Sequence, residues 1–148
     1  MTENTEVPSP PAQVGVLMVT HGVFGAALLE AAQMILGPQQ GIAAVSVHVS
    51  KGVEEIVVAL KSGVSSLDTG LGVILLTDLF GGTPTTLSLS LLKGGNLEVV
   101  SGVNLPMLLK VLQCRQMKLP ELASQAKSAG QDGIKVPGEM LRKKPAGS

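Results

Sequence analysis

Residues 14–22 read Val14-Gly15-Val16-Leu17-Met18-Val19-Thr20-His21-Gly22. Val14–Val19 is a short apolar run of the length and β-branched content of a buried strand. His21 then falls where that strand ends and the chain turns. Gly22 and Gly25 flank the turn, and Gly25–Leu36 (GAALLEAAQMIL) has helical spacing up to the stop at Gly37-Pro38. A strand followed at once by a helix is the first half of a βαβ unit. In an open α/β sheet the crevice outside the carboxyl ends of the strands is where ligands bind.

The alternation continues outward from this stretch. Ile42–Val49 is rich in β-formers and reads as the second strand. Val53–Leu67 carries apolar residues at Val53, Ile56, Val57, Leu60 and Val64, which predicts a second helix. Leu71–Leu76 (LGVILL) is continuously apolar, as a central parallel strand covered on both faces must be. Thr83 is a natural N-cap and Pro84 suits a first helical position, so a third helix runs from there to about Leu92. Leu97–Ser101 is the fourth strand. Helices follow from Pro106 to about Cys114 and over Leu119–Ala129, and Gly133–Val136 (GIKV) reads as a last short strand.

This βαβαβαβα order predicts an α/β protein with an open, doubly wound, mainly parallel sheet and helices on both faces. Strand order 2-1-3-4 makes the first and third strands neighbours. The expected organisation is a flexible segment over 1–12, one domain over 13–137 and a flexible tail over 138–148.

Composition narrows the function. The chain has 148 residues, 45% apolar and 15% charged, with zero formal net charge. That is enough apolar material for one core. Phe24 and Phe80 are the only aromatic residues, so the core is aliphatic. No basic stripe is present, which argues against nucleic acid. Arg142-Lys143-Lys144 lies in the polar tail and reads as a solvated terminus. No signal segment or run long enough to span a membrane is visible, so a cytoplasmic location is expected. The lone Cys114 excludes a disulfide framework and reads as a small core residue.

Two polar groups stand at the ends of neighbouring strands, His21 after the first and Asp78 after the third. A carboxylate accepting the proton of one imidazole nitrogen fixes the tautomer and leaves the other nitrogen's lone pair free. The ring is then a directed nucleophile. Gly81-Gly82-Thr83 precedes a helix, and Gly22 and Gly25 precede another; backbone N–H groups there suit an anion such as a phosphoryl group. Neither loop carries Lys or Arg. Singly, each feature has a structural reading: a strand-end histidine, a turn-starting aspartate, a tight glycine turn. Their meeting at one sheet edge is what favours function. The chain has no G-x-x-x-x-G-K-[ST], no G-x-G-x-x-G after the first strand and no G-x-S-x-G, which removes the common nucleotide sites and the hydrolase elbow. His48 is placed within the second strand and is set aside as a strand-end or packing residue. No cofactor and no metal site are expected.

Three blocks carry a resemblance: Val16–Gly22 ending in THG, Thr77–Pro84 (TDLFGGTP) and Ser101–Leu109 (SGVNLPMLL). In order and spacing they resemble the mannose-type IIA domains of the bacterial phosphoenolpyruvate-dependent sugar phosphotransferase system. The resemblance implies a phosphorylated histidine at His21, a partner carboxylate at Asp78 and phosphoryl binding at Thr83, beside Gly22, Gly81 and Gly82. It implies a carrier that takes a phosphoryl group from the phosphocarrier HPr and passes it to a IIB domain, with membrane IIC and IID components beyond. It also implies a fifth, antiparallel strand, here Gly133–Val136, exchanged between the subunits of a homodimer. Many members have Trp where this chain has Phe80. No IIB domain follows within the 148 residues, which leaves a regulatory module, its His21 phosphorylation read by a protein partner, as the alternative.

Overall fold

The computed structural model describes residues 11–143 other than Val49 and Gly95. The expected flexible segment therefore falls almost wholly outside the described residues, as does the end of the tail. The elements are β1 (Gly15–His21), α1 (Phe24–Leu36), β2 (Ile42–Val47), α2 (Val53–Leu67), β3 (Val73–Thr77), α3 (Thr83–Leu89), a single 3-10 turn at Leu92–Gly94, β4 (Leu97–Ser101), α4 (Leu105–Gln113), α5 (Leu119–Asp132) and α6 (Pro137–Arg142).

Side chains alternate across the pleat of each strand, and both sets find apolar cover. Val16, Met18, Ile74 and Leu76 pack with Leu29 of α1, Met107, Leu108 and Val111 of α4 and Leu122 of α5. Leu17, Val19, Val73 and Leu75 face the other way, against Ile56 and Leu60 of α2 and the flanking Leu87 of α3. This two-sided burial is why the strands read as continuous apolar runs. Each fully buried Leu or Val contributes about 1.5–3 kcal/mol.

The four described strands form one parallel sheet in the order β2-β1-β3-β4. Met18 pairs with Ala44 on one side and Leu76 on the other. Because the chain leaves β1 toward β2 and β3 toward β4, the loops after β1 and β3 diverge, and a crevice opens between them. His21 is the last residue of β1 and Asp78 the first after β3, so the topology brings both to this crevice.

Arg115, between α4 and α5, binds the opposite end of the sheet together. It is 4% exposed. Its Nε donates to the Val14 carbonyl at 2.8 Å, and its guanidinium NH2 groups donate to those of Gln40 at 2.6 Å and Gly41 at 2.8 Å. Burial pushes its pKa below the ordinary value, yet a guanidinium stays charged.

Within one chain Gly133–Val136 pairs with no strand: the N–H groups of Gly133 and Ile134 donate to the carbonyls of Ala129 and Gln131 and complete the end of α5. Three expectations are corrected. The start of the supposed tail is helical, with Pro137 in the first turn and Arg142 in the last, where its charge suits the helix dipole. The N-cap of α3 is Gly82, so Thr83 is the first helical residue and its side chain caps nothing. The helix also ends at Leu89, short of the expected Leu92.

Candidate functional site

The site is built from the carboxyl ends of β1 and β3 and the loop that enters α3. The backbone N–H of His21 donates to Asp78 Oδ2 at 2.9 Å, and the ring Nδ1 lies 2.8 Å from the same oxygen. Burial on its own raises the Asp78 pKa. The two hydrogen bonds from His21, and attraction to the ring, outweigh it and hold the carboxyl below its usual value of 3.8. An ionised carboxylate only accepts, so Nδ1 carries the proton and Nε2 keeps its lone pair. The His21 side chain is 51% exposed while that of Asp78 is 15% exposed. The ring is thus half exposed, while the carboxylate that bonds it is mostly buried. The other oxygen of Asp78, Oδ1, is buried without a hydrogen-bond partner among the described residues.

The loop after Asp78 is held by its own turn. Gly82 N–H donates to the Leu79 carbonyl at 3.3 Å. Gly81 has φ +83°, the value a type II turn needs at its third residue and one that favours glycine. Gly82 matters for space: a Cβ there would sit 3.2 Å from His21 Cε1. Behind the loop, Thr85 Oγ1 lies 2.6 Å from the Leu79 carbonyl, 2.7 Å from Thr77 Oγ1 and 3.3 Å from Ser101 Oγ. On the β1 side, Thr20 Oγ1 accepts from Gly25 N–H at 2.7 Å and anchors the start of α1.

The sequence-predicted residues therefore meet, but not as equals. His21 and Asp78 are bonded. Gly81 and Thr83 are exposed on the loop, and neither has a partner for its N–H among the described residues. Gly22 N–H already donates to the Val47 carbonyl at 3.1 Å, so this glycine supplies a turn, with φ +53°, and no free donor. Gly82 N–H is engaged in its turn. His48 lies just past β2 and is exposed, so it is not packed in the sheet. The hydroxyl cluster of Thr77, Thr85 and Ser101 escaped the sequence reading. Its one signal was three hydroxyl residues at the ends of β3 and β4 and the start of α3, where apolar packing would otherwise be expected.

Two surfaces adjoin the site. Val23 and Phe24, which follow His21 in the chain, and Leu79 and Phe80, which follow Asp78, are exposed apolar residues, Phe80 being 80% exposed. A groove of ≈ 670 Å³ runs along the edge strand β4 beneath α5, from Phe80 and Ser101 to Ile134. No helix among the described residues is long and apolar enough to cross a membrane.

The family model described as the PTS system fructose IIA component matches residues 15–127. The chain is similar to the PTS system mannose-specific EIIAB component of Escherichia coli (strain K12), 30% identical over 135 residues. That match covers 89% of this chain but only 41% of that protein's length. It is also similar to the PTS system fructose-specific EIIA component of Bacillus subtilis (strain 168), 30% identical, covering 88% of this chain and 90% of the relative. Among solved structures, a phosphotransferase system component EIIA from Streptococcus agalactiae superposes with a TM-score of 0.78 at 26% identity, covering 85% and 98% of the two chains.

Proposed function

The chain belongs to the mannose-type IIA family of the sugar phosphotransferase system, and on that footing we propose that it is a cytoplasmic phosphoryl carrier whose phosphoryl group rides on His21 Nε2. The observation that carries this reading is the 2.8 Å contact between Nδ1 and Asp78 Oδ2, which leaves Nε2 free on the exposed edge. The Nε2 lone pair attacks phosphorus on the donor. The bond from phosphorus to the donor atom breaks, its electron pair stays with that atom, and the ring of His21 becomes cationic. Asp78 stabilises that cation through the Nδ1 proton. The step reverses when an acceptor attacks.

The donor this reading requires is phosphorylated HPr, and the acceptor a IIB domain that serves membrane IIC and IID components. The exposed apolar residues Val23, Phe24, Leu79 and Phe80, next in the chain to His21 and Asp78, support a protein partner, because exposed apolar groups beside a site are desolvated when a partner docks. Thr83, exposed beside the turn, is assigned to the phosphoryl oxygens, with Gly81 N–H. The same reading includes a homodimer in which residues 133–136 of one copy pair with the free edge of β4 in the other. The unpaired edge, the groove beside it and the strand-free connection at 134–136 support this.

Incubation with phosphoenolpyruvate, enzyme I and HPr should add one acid-labile phosphoryl group to the protein and none to His21→Ala. Phosphorylation of His21→Ala would overturn the assignment.

A further inference from the structure

Thr85 Oγ1 has one hydrogen to give and three neighbours. The Leu79 carbonyl, 2.6 Å away, can only accept, so Thr85 donates to it. The hydrogen bond with Thr77 at 2.7 Å must then run the other way, with Thr77 donating, and so must the longer contact with Ser101 at 3.3 Å. The carbonyl thus settles the direction of the whole network. Thr85 gathers donors from the ends of two strands and directs its own proton at one backbone oxygen. Thr77 and Thr85 are both buried.

That oxygen matters because of what lies before it. Asp78 sits between two fixed points. On one side the Thr77 carbonyl accepts from the N–H groups of Gly102 and Val103, each at 3.0 Å. On the other the Leu79 carbonyl is held by Thr85 and, less closely, by Gly82 N–H at 3.3 Å. Without the Thr85 hydroxyl the second point rests on that long bond alone. The Leu79–Phe80 peptide can then rotate, and Asp78, one residue before it, loses the support that keeps its carboxylate on His21 Nδ1.

Resting on the carrier reading above, we propose that Thr85 is a positioning residue for phosphoryl transfer, acting through the Leu79 carbonyl to keep the Asp78 carboxylate on His21 Nδ1. It touches neither the phosphoryl group nor the ring.

The test compares the full chain with Thr85→Val, which removes the hydroxyl at nearly constant volume, and Thr85→Ser, which keeps it. Two readouts are taken. The first is the rate of transfer from phosphorylated HPr across donor concentrations. The second is the ¹⁵N resonances of the His21 ring in the unphosphorylated protein, which report the tautomer. Thr85→Val should lower kcat roughly tenfold with KM unchanged, because a misplaced orienting group affects the chemical step more than docking. Its His21 resonances should move toward mixed tautomers, and Thr85→Ser should restore both. Should Thr85→Val fold poorly, Thr77→Val, which removes the hydrogen bond orienting the Thr85 hydroxyl, is expected to shift the resonances in the same direction. Wild-type resonances in the folded valine variants would overturn the proposal. So would a rate loss in Thr85→Val that follows lost thermal stability and leaves the ring resonances unmoved. If wild-type protein took no phosphoryl group the carrier reading would fall, and the resonances would still decide whether Thr85 sets the His21–Asp78 contact.

Discussion

His21 bonds one oxygen of Asp78 twice, through its backbone N–H at 2.9 Å and through ring Nδ1 at 2.8 Å. The double contact joins the end of β1 to the first residue after β3 and so ties the ring to both strands. Asp78→Asn separates orientation from charge. The amide can present an N–H₂ group to Nδ1 and so favour the tautomer with the proton on Nε2, which blocks the nucleophile. Transfer from phosphorylated HPr should fall on the order of 10²- to 10⁴-fold, by analogy with other Asp-oriented catalytic histidines. Circular dichroism should be unchanged. Rapid-quench kinetics showing near-normal transfer by the variant would remove Asp78 from its role.

The same contact makes a prediction about acid. Burial opposes ionisation of Asp78, but the hydrogen bonds from His21 prevail and its folded pKa lies below 3.8. The stabilisation from its ionised form is therefore present above the unfolded pKa. It is lost as pH falls through the lower, folded pKa. Urea unfolding of wild type and Asp78→Asn should show a difference that narrows as pH falls below about 4. A difference that held to pH values well below 3, or that narrowed only above neutrality, would contradict this sign.

Gly82→Ala tests how close the loop comes to the ring. The backbone at Gly82 has φ −79° and ψ 167°, which alanine adopts freely, so strain is not the issue. The new Cβ would stand 3.2 Å from His21 Cε1, tight enough to push the ring. Transfer should slow by roughly tenfold, with thermal stability changed by no more than about 1 kcal/mol. A variant as fast as wild type would show that the ring has room to yield.

Much of this architecture could be read from residue order. The apolar runs of β1 and β3 announced buried strands, and the glycine and proline punctuation around α1 and α3 marked turns. The strand order, expected as that of a doubly wound sheet, placed Asp78 beside His21. Less legible were features that depend on a third dimension or a second chain. Thr83 as an N-cap was a sound local inference, overridden when Gly82 took the extended cap conformation. GIKV at 133–136 has strand composition, but its first two N–H groups close α5. The hydroxyls of Thr77, Thr85 and Ser101 look like ordinary strand and helix residues until the fold stacks them. Arg115 gave no signal at all, since its partners are backbone carbonyls far away in sequence.

Arg115 supplies the last prediction, one of stability without chemistry. Its guanidinium donates to the carbonyls of Val14, Gln40 and Gly41, which immediately precede β1 and β2, at the end of the sheet away from His21. Arg115→Met retains apolar volume but removes the charged donor from all three carbonyls. Each lost bond to a charged donor costs about 1–3 kcal/mol, and relief of the buried charge offsets part of that. A net destabilisation of about 3 kcal/mol is expected, lowering Tm by on the order of 10 °C. Because the His21–Asp78 contact lies at the other end of β1, the folded variant should transfer phosphoryl groups at the wild-type rate at 20 °C. A selective loss of transfer with unchanged Tm would mean that the anchor at the start of β1 governs the ring at its end, and the separation of roles would fail.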